Sequence, residues 1–331
     1  MNTQTQNVKK IKPGQFILKY NAVVILIVLI AVSAILSPAF LTSQNIFNLL
    51  RQNAPLAIMS MGMLYVILTG GIDLSVGMVA GASGMLFTVA MAYWGLNSIF
   101  GLIISILITI AFGCIIGAIS GGLVAKLRMA PFIVTLAFQT IAKGIAYLIT
   151  NGQPERWPAD VPATDFMLAF GSESFLGIPW AVWLAVVVIV IFALVTKFTT
   201  FGRLTIAIGS NEVAVRLSGI NDKKYKFCAY VISGAMGSLA AICLTARTGM
   251  GAPTTGDGYE LDAIAACVIG GASLMGGKGS VGKTVIGVLV LALITNIMNL
   301  LSLPAYPQQV IKGVVILAAV LLQSFEGLKR Q

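Results

Sequence analysis

Residues Gly277–Thr284 match the pattern G-x-x-x-x-G-K-T, which in many enzymes wraps the phosphates of a nucleotide. A working site of that kind follows a β-strand and uses a carboxylate at the end of another strand to hold magnesium. Residues 285–301 are instead apolar on every face, as in a membrane helix, and we find no apolar strand that ends in aspartate. We therefore interpret the match as a glycine-rich turn that places Lys278 and Lys283 at lipid headgroups, and we expect no ATPase site in this chain.

Side chains for other catalytic chemistry are scarce. The chain contains no histidine, which excludes histidine-based acid–base catalysis and most zinc or haem sites. Its cysteines lie far apart, in or at the edge of apolar runs, and are typical of small core residues rather than of disulfides or metal ligands. They are Cys114, Cys228, Cys243 and Cys267. We expect no catalytic residue, no metal and no cofactor, and therefore no enzymatic activity in this chain.

The apolar runs carry almost no charge. We predict no buried carboxylate in them, and their two lysines, Lys143 and Lys312, lie close enough to an interface to extend towards it. Carriers driven by protons or sodium usually need acidic residues inside the membrane. Energy must then come from another subunit, or the protein is a passive pore.

A polar, glycine-rich break at Gly70–Gly77 separates two apolar runs. Its glycines can end a helix, because glycine tolerates the left-handed conformation after the last turn, and Asp73 and Ser75 can cap the next helix. The break is either a capped hairpin at the membrane surface or a fixed element that lines a path or touches a partner. The residues assigned to this structural or pathway motif are Gly70, Gly71, Asp73, Ser75 and Gly77.

A second motif lies in the basic segment Phe201–Asn221. Asn211 is a favourable N-cap and Gly219 a favourable stop, so we predict a short helix between them. Val213 and Leu217 are one turn apart, which makes this helix amphipathic. It either lies on lipid or enters a groove on a partner protein. About seven residues offer too little apolar area for firm lipid binding, which favours the partner.

Composition determines the class of protein that must hold these motifs. Of 331 residues, 58% are hydrophobic and 10% charged, whereas soluble domains carry roughly 25% charged residues. A membrane span needs about 20 mostly apolar residues. We predict an all-α, polytopic membrane protein with about ten transmembrane helices, near 22–40, 54–69, 76–94, 99–124, 131–150, 178–196, 226–246, 262–275, 284–301 and 308–324. The eighth is short and glycine-rich, which suggests a broken or partly re-entrant span.

The basic residues orient this bundle. The net charge of +10 is scattered through short loops with no basic face, which argues against nucleic-acid binding. Lysine and arginine concentrate in cytoplasmic loops, and an arrangement with both termini inside places most of them there. The inner set is Lys9, Lys10, Lys12, Lys19, Lys126, Arg128, Lys197, Arg203, Arg216, Lys223, Lys224, Lys226, Lys278, Lys283, Lys329 and Arg330. The outer loops hold Arg51, Arg156 and Arg247.

This topology predicts one transmembrane domain, residues 22–324, between cytoplasmic tails at 1–21 and 325–331. Two connections exceed the usual short loop. The segment 151–177, rich in proline and acidic residues, is predicted to face the outside. The segment 197–225, which carries the second motif, is predicted to face the cytoplasm.

The motifs resemble those of the membrane subunit of bacterial sugar ABC importers, the ribose, xylose, arabinose and galactose permease family. The resemblance rests on Gly70–Gly77, on Asn211–Ile220, and on Tyr259–Ala266 followed by Val268–Gly271. Their spacing and the ten-helix layout extend the likeness over nearly the whole chain, with wording closest to the ribose type. One departure is Val213, where the family usually has alanine.

The resemblance implies the bundle of an ABC importer permease, multi-pass in the bacterial inner membrane, that moves a monosaccharide, most simply a ribose-type pentose. It implies a second permease subunit, usually an identical copy, and a cytoplasmic ATPase of two fused cassettes. A periplasmic sugar-binding protein would deliver the substrate. The segment that couples to the ATPase maps onto Asn211, Glu212, Ala214, Ser218, Gly219 and Ile220.

Alternating access is the mechanism that the resemblance implies, in which ATP binding closes the cassettes and moves the 210–220 helices. The outer arginines, Arg51, Arg156 and Arg247, are then candidates to pair with acids on the binding protein, and Glu260 and Asp262 are candidates for docking or for an outer gate. The alternative is a facilitator or secondary carrier that works alone on a small polar solute.

Overall fold

The computed structural model describes residues 21–328, which are mostly helical. The predicted basic tails, with Lys9, Lys10, Lys12, Lys19, Lys329 and Arg330, lie outside the described residues. The helices of the described part are α1 (Asn21–Leu36), α2 (Ser43–Leu68), α3 (Val76–Ala92), α4 (Ile99–Lys126), α5 (Pro131–Ile149), α6 (Pro162–Ser172), α7 (Trp180–Phe198), α8 (Thr200–Ser210), α9 (Glu212–Leu217), α10 (Asp222–Thr248), α11 (Tyr259–Ile269), α12 (Val281–Leu300) and α13 (Ala305–Leu328).

Five of these helices, α4, α5, α7, α10 and α12, are long and apolar enough to cross a membrane. Helices α1 and α3 are apolar but shorter. Each of the ten predicted apolar windows overlaps a helix, and α6, α8 and α9 lie outside these windows. Helix α2 is long but begins with a polar half, Ser43–Asn53, whereas residues 54–68 are buried throughout.

Helix α10 lies at the centre of the bundle and packs on α2, α3 and α4. A β-carbon at Gly113 or Gly117 of α4 would collide with the α10 backbone, and one at Gly234 of α10 would collide with Gly113. Small residues spaced four apart let two helix backbones approach closely, which is a common way to pack helices in a membrane. This G-x-x-x-G pattern is readable in the sequence, although the prediction of the spans does not depend on it.

The helix at the eighth predicted span, 262–275, is shorter than predicted and has irregular segments on both sides, and we call it the broken span. Helix α11 ends at Ile269 and, with eleven residues, is about 16 Å long, roughly half of a bilayer's hydrocarbon core. The segment 250–258 that precedes it is irregular and descends along α3. Gly251 lies against Thr88 of α3, and Gly256 lies against Gly77, about three turns lower.

The segment 151–177 is not a simple loop, and the chain is not purely helical. Strand β1 (Glu155–Arg156) pairs antiparallel with β4 (Met250–Gly251), and β2 (Ser174–Phe175) forms a hairpin with β3 (Ile178–Pro179). Between β1 and β2, helix α6 packs on α10 and α4. We call α6 with the paired strands β1 and β4 the cap. The buried Trp157 holds it against α3, because its Nε1 donates to Thr88 Oγ1 at 3.0 Å.

Candidate functional site

Helix α9 forms as the sequence predicts. The backbone N–H of Ala214 donates to Oδ1 of Asn211 at 2.9 Å, which satisfies one of the amides that a helix start leaves unpaired. Gly219 follows the last turn with φ +78°, a left-handed conformation that favours glycine. The N–H of Ile220 then donates to Val215 O, so the chain turns back towards the bundle.

One face of α9 holds it against the bundle. Val215 is buried, and Glu212 forms an ion pair with Lys226 of α10 at 2.6 Å. Arg216, one turn along, lies 3.8 Å from the same carboxylate. Glu212 is therefore a link between α9 and the central helix.

The opposite face of α9 is apolar and exposed. Val213 is 58% exposed and Leu217 84% exposed. Ala214 and Ser218 are exposed beside them, and the Ser218 hydroxyl donates back to Ala214 O at 2.9 Å. Within the described part of the chain nothing covers this face, so it is available to another molecule.

The segment 197–225 is not an open loop before this helix. Residues Thr200–Ser210 form α8, which packs on α7, α2 and α10. A β-carbon at Gly209 would collide with Leu68 O at the end of α2. Helix α8 is therefore a packed part of the bundle, and it fixes where α9 begins.

The glycine-rich break after α2 also forms, with one difference from its prediction. Gly70 has φ +79° and ends α2 as expected. Oδ1 of Asp73 accepts from the N–H of Ser75 at 3.0 Å and from its hydroxyl at 2.6 Å. Ser75 makes no side-chain capping bond, and its hydroxyl donates to Asp73 instead. The carbonyl of Ile72 accepts from Tyr230 and Thr135, at 3.4 and 3.3 Å.

The P-loop-like segment lies beside this break. Helix α11, not a strand, precedes it, and the N–H of Gly277 donates to Leu68 O at 3.0 Å. Gly276 lies against Gly70 and Gly209. The segment is thus a turn that packs the ends of α2 and α8 together, and Lys278 and Lys283 are exposed on it.

Buried carboxylates lie beside the predicted spans, outside the apolar runs for which none is predicted. Asp73 is buried in the break after α2, and Glu260 is buried in the first turn of α11, 4% exposed. Oε1 of Glu260 accepts from Gln139 of α5 at 2.9 Å, and Oε2 lies against Gly77 at the start of α3. Two helix N-termini, which favour negative charge, therefore meet at this carboxylate. Asp73 lies between two helices and Glu260 in the first turn of a helix, so neither belongs to a continuous apolar run.

The lysines of the spans pair with carboxylates, whereas we expected them to extend to an interface. Lys143 of α5 binds Asp257 at 3.1 Å, and Lys312 of α13 binds Asp262 at 3.0 Å. Gln139 and Lys143 lie one turn apart on the same face of α5. Two polar residues on one face of an apolar span are the sequence signal that this face meets polar partners, which are Glu260 and Asp257.

The candidate outer residues do not form one surface. Arg247 and Asp262 line a common cleft of about 490 Å³, with residues of α2, α12 and α13. Arg156 is exposed on β1, and Arg51 is half-buried on α2. Glu260 is too buried to dock a partner, so of its two expected roles only the gate is compatible with its position.

The similarity of the chain to known proteins covers nearly its full length. Residues 45–320 match the family model described as the permease component of the branched-chain amino acid transport system. The ribose import permease protein RbsC of Escherichia coli (strain K12) is 41% identical over 324 residues, 98% of this chain and 99% of that protein.

Permeases named for other pentoses are also similar. The L-arabinose transport system permease protein AraH of Escherichia coli (strain K12) is 35% identical, over 93% of this chain and 91% of that protein. The xylose transport system permease protein XylH of Haemophilus influenzae is 34% identical, over 89% of this chain and 94% of that protein. No solved structure matches the chain significantly. With the full-length match and the membrane-spanning helices together, the chain belongs to the bacterial sugar-importer permease family and is a multi-pass protein of the inner membrane.

Proposed function

We propose that this chain is the membrane-spanning subunit of an ABC importer that carries a ribose-type pentose into the cell. The observation that carries the proposal is its similarity to ribose import permeases over the full length of both chains. Identity to the ribose protein is 41%, against 35% and 34% for the arabinose and xylose proteins. This difference supports ribose among the pentoses.

Helix α9 is the proposed contact with a separate ATPase of two fused cassettes. Its exposed face, Val213 and Leu217, is suited to a groove on a partner, because apolar residues one turn apart are how a helix enters such a groove. The Glu212–Lys226 ion pair would pass the movement of α9 to the central helix. Ten spans, with both termini in the cytoplasm, would place α9 on the ATPase side.

The remaining partners are a second copy of this permease and a periplasmic sugar-binding protein. The cap formed by α6 and the paired strands β1 and β4 lies beside the irregular segment before α11. We propose that the binding protein docks on this cap, with Arg156 and Arg247 available to its acidic residues. The Gly70–Gly77 break and Glu260 would then belong to the moving core between the cap and α9.

Co-purification of the ATPase tests the coupling role. We expect a cassette ATPase to copurify with the tagged wild-type chain from its native membrane, and to be lost from Leu217→Ser. The matched control is Leu176→Ser, since Leu176 is 79% exposed but lies between β2 and β3. Lys283→Ala tests the P-loop-like turn and should leave the ATPase bound.

Radiolabelled D-ribose uptake in cells provides the second measurement. Leu217→Ser should abolish uptake, while Leu176→Ser and Lys283→Ala should retain it. If the wild-type chain imports ribose with no ATPase attached, even after cross-linking, then the importer mechanism is wrong and a stand-alone carrier replaces it.

A further inference from the structure

The cleft that contains Arg247 and Asp262 has the size and the lining of a small-molecule site. Its volume of about 490 Å³ falls within the roughly 300–1,000 Å³ of ligand pockets. Helices α2, α12 and α13 supply its walls, and the start of α11 supplies its floor. It therefore lies between these helices, at the point where α11 begins.

Neutral polar side chains line three of these helices. Gln52 belongs to α2, Thr295 to α12 and Gln309 to α13. In the part of the chain that the structure describes, none of these three side chains makes a hydrogen bond or an ion pair. Asn53 uses its amide to donate to Leu49 O at 2.8 Å, which leaves its Oδ1 able to accept. The cleft thus presents both donors and acceptors that have no partner of their own.

Charges of both signs line the cleft. The cations are Arg247 and Lys312 and the carboxylates are Asp257 and Asp262, of which Asp257 is paired with Lys143 outside the cleft. Lys312 and Asp262 are already joined at 3.0 Å, so they offer a fixed donor beside a fixed acceptor rather than an excess charge. A lining of this kind suits a neutral ligand whose hydroxyl groups both donate and accept hydrogen bonds.

We propose that this cleft is a sugar-binding site within the permease itself, which takes a monosaccharide through its hydroxyl groups. The inference rests on the proposed import function and adds to it a binding site for the substrate within the permease. The floor of the cleft, α11, leads to the turn at Gly276–Gly277, which packs against the end of α8 just before α9. A sugar in the cleft would therefore contact the element that links it to the coupling helix.

Cysteine protection tests the site without relying on transport. In a background with Cys114, Cys228, Cys243 and Cys267 replaced by alanine, Gln52→Cys and Gln309→Cys place thiols on two different helices that line the cleft. Gln308→Cys is the matched control, because Gln308 is the adjacent residue on α13 but bonds Asn299 and Leu303 O outside the cleft. The rate of labelling by a small methanethiosulfonate reagent is measured on the purified transporter complex.

We expect millimolar D-ribose to slow labelling several-fold at Gln52→Cys and Gln309→Cys and to leave Gln308→Cys unchanged. L-leucine, chosen because the family model is described for branched-chain amino acids, should protect none of them, since its apolar side chain would leave the polar walls unpaired. No protection by ribose in a complex whose parent imports ribose would overturn the site alone. Equal protection by leucine would overturn its selectivity for hydroxyl groups. Protection in a complex that imports no ribose would support the site and reject the import function.

Discussion

Glu260 illustrates how single residues hold the broken span in place. A buried carboxylate is costly unless hydrogen bonds or dipoles compensate it. Here Gln139 donates to one oxygen at 2.9 Å, and the starts of α3 and α11 supply the positive ends of two helix dipoles. The absence of a side chain at Gly77 is what allows α3 to approach the carboxylate.

Gly77→Ala is expected to destabilise the protein, because its β-carbon would collide with Oε2 of Glu260 and with the backbone of Gly256. Overpacking of this kind costs about 1–3 kcal/mol. Thermal unfolding in detergent measures the effect. Gly122→Ala is the control, since Gly122 also lies in a helix and a β-carbon there meets nothing within 4 Å. Equal melting temperatures for the two variants would contradict the close approach at Gly77.

Gln139→Leu removes the donor to Oε1 of Glu260 and leaves a buried acceptor unpaired. A loss of this kind costs about 1–3 kcal/mol, and the same unfolding measurement detects it. Thr140→Val is the matched control, because Thr140 is the next residue on α5, is exposed, and bonds only within its own helix. If Gln139→Leu and Thr140→Val unfold at the same temperature, the hydrogen bond from Gln139 to Glu260 does not contribute to stability.

Among the helices, α11 is unusual because it is held from both sides near its start. Lys143 on α5 binds Asp257 just before the helix, and Lys312 on α13 binds Asp262 in its first turn. Helix α11 is too short to span a bilayer. Its position therefore depends on these ties and on the glycine contacts with α3, rather than on a long apolar surface.

The two ion pairs, Lys143–Asp257 and Lys312–Asp262, should differ in how much they stabilise the protein. The side chains of Lys143 and Asp257 are 45% and 49% exposed, and exposed ion pairs contribute at most about 1 kcal/mol. Those of Lys312 and Asp262 are 27% and 19% exposed, so breaking this pair leaves a carboxylate that is less well solvated. We expect Lys312→Met to reduce the unfolding temperature and ribose uptake more than Lys143→Met does. The reverse order would show that α5, not α13, sets the position of α11.

At the scale of the whole molecule, the contacts between distant segments agree with the predicted topology. The segments around Gly70, Gly209 and Gly277, all predicted to be cytoplasmic, contact one another at one end of the bundle. The strands β1 and β4, both in segments predicted to be outside, pair with each other. These contacts place the segments of each predicted side together at one end of the bundle, as the predicted topology requires.

Reporter fusions decide the orientation. Alkaline phosphatase, which is active only after export, should be active when fused within residues 151–177 and inactive when fused within 197–225 or after residue 331. The physical reason is the concentration of lysine and arginine in the segments predicted to be inside. Activity at 197–225 and none at 151–177 would invert the topology and remove α9 from the cytoplasm.

Much of this protein follows from local pattern alone. Apolar runs of membrane length predict helices wherever they occur, because a chain in lipid must satisfy its backbone hydrogen bonds internally. The bounds of α9 follow from Asn211 and Gly219 because caps act within one turn of the chain. The wording of the three motifs was enough to indicate the sugar-permease family, which the full-length relatives confirm.

Only the tertiary structure decided what the helix breaks do. Asp257, Glu260 and Asp262 are predicted in or next to an outer loop. Each of them bonds a different side chain of α5 or α13, between 50 and 121 residues away in the sequence. Likewise, the residues of α8 are predicted as part of an inner loop, and they form a helix packed on α2 and α7. Charge pairing and close backbone approach depend on distances between distant parts of the chain, which no local pattern encodes, whereas the spans depend only on what each segment can bury.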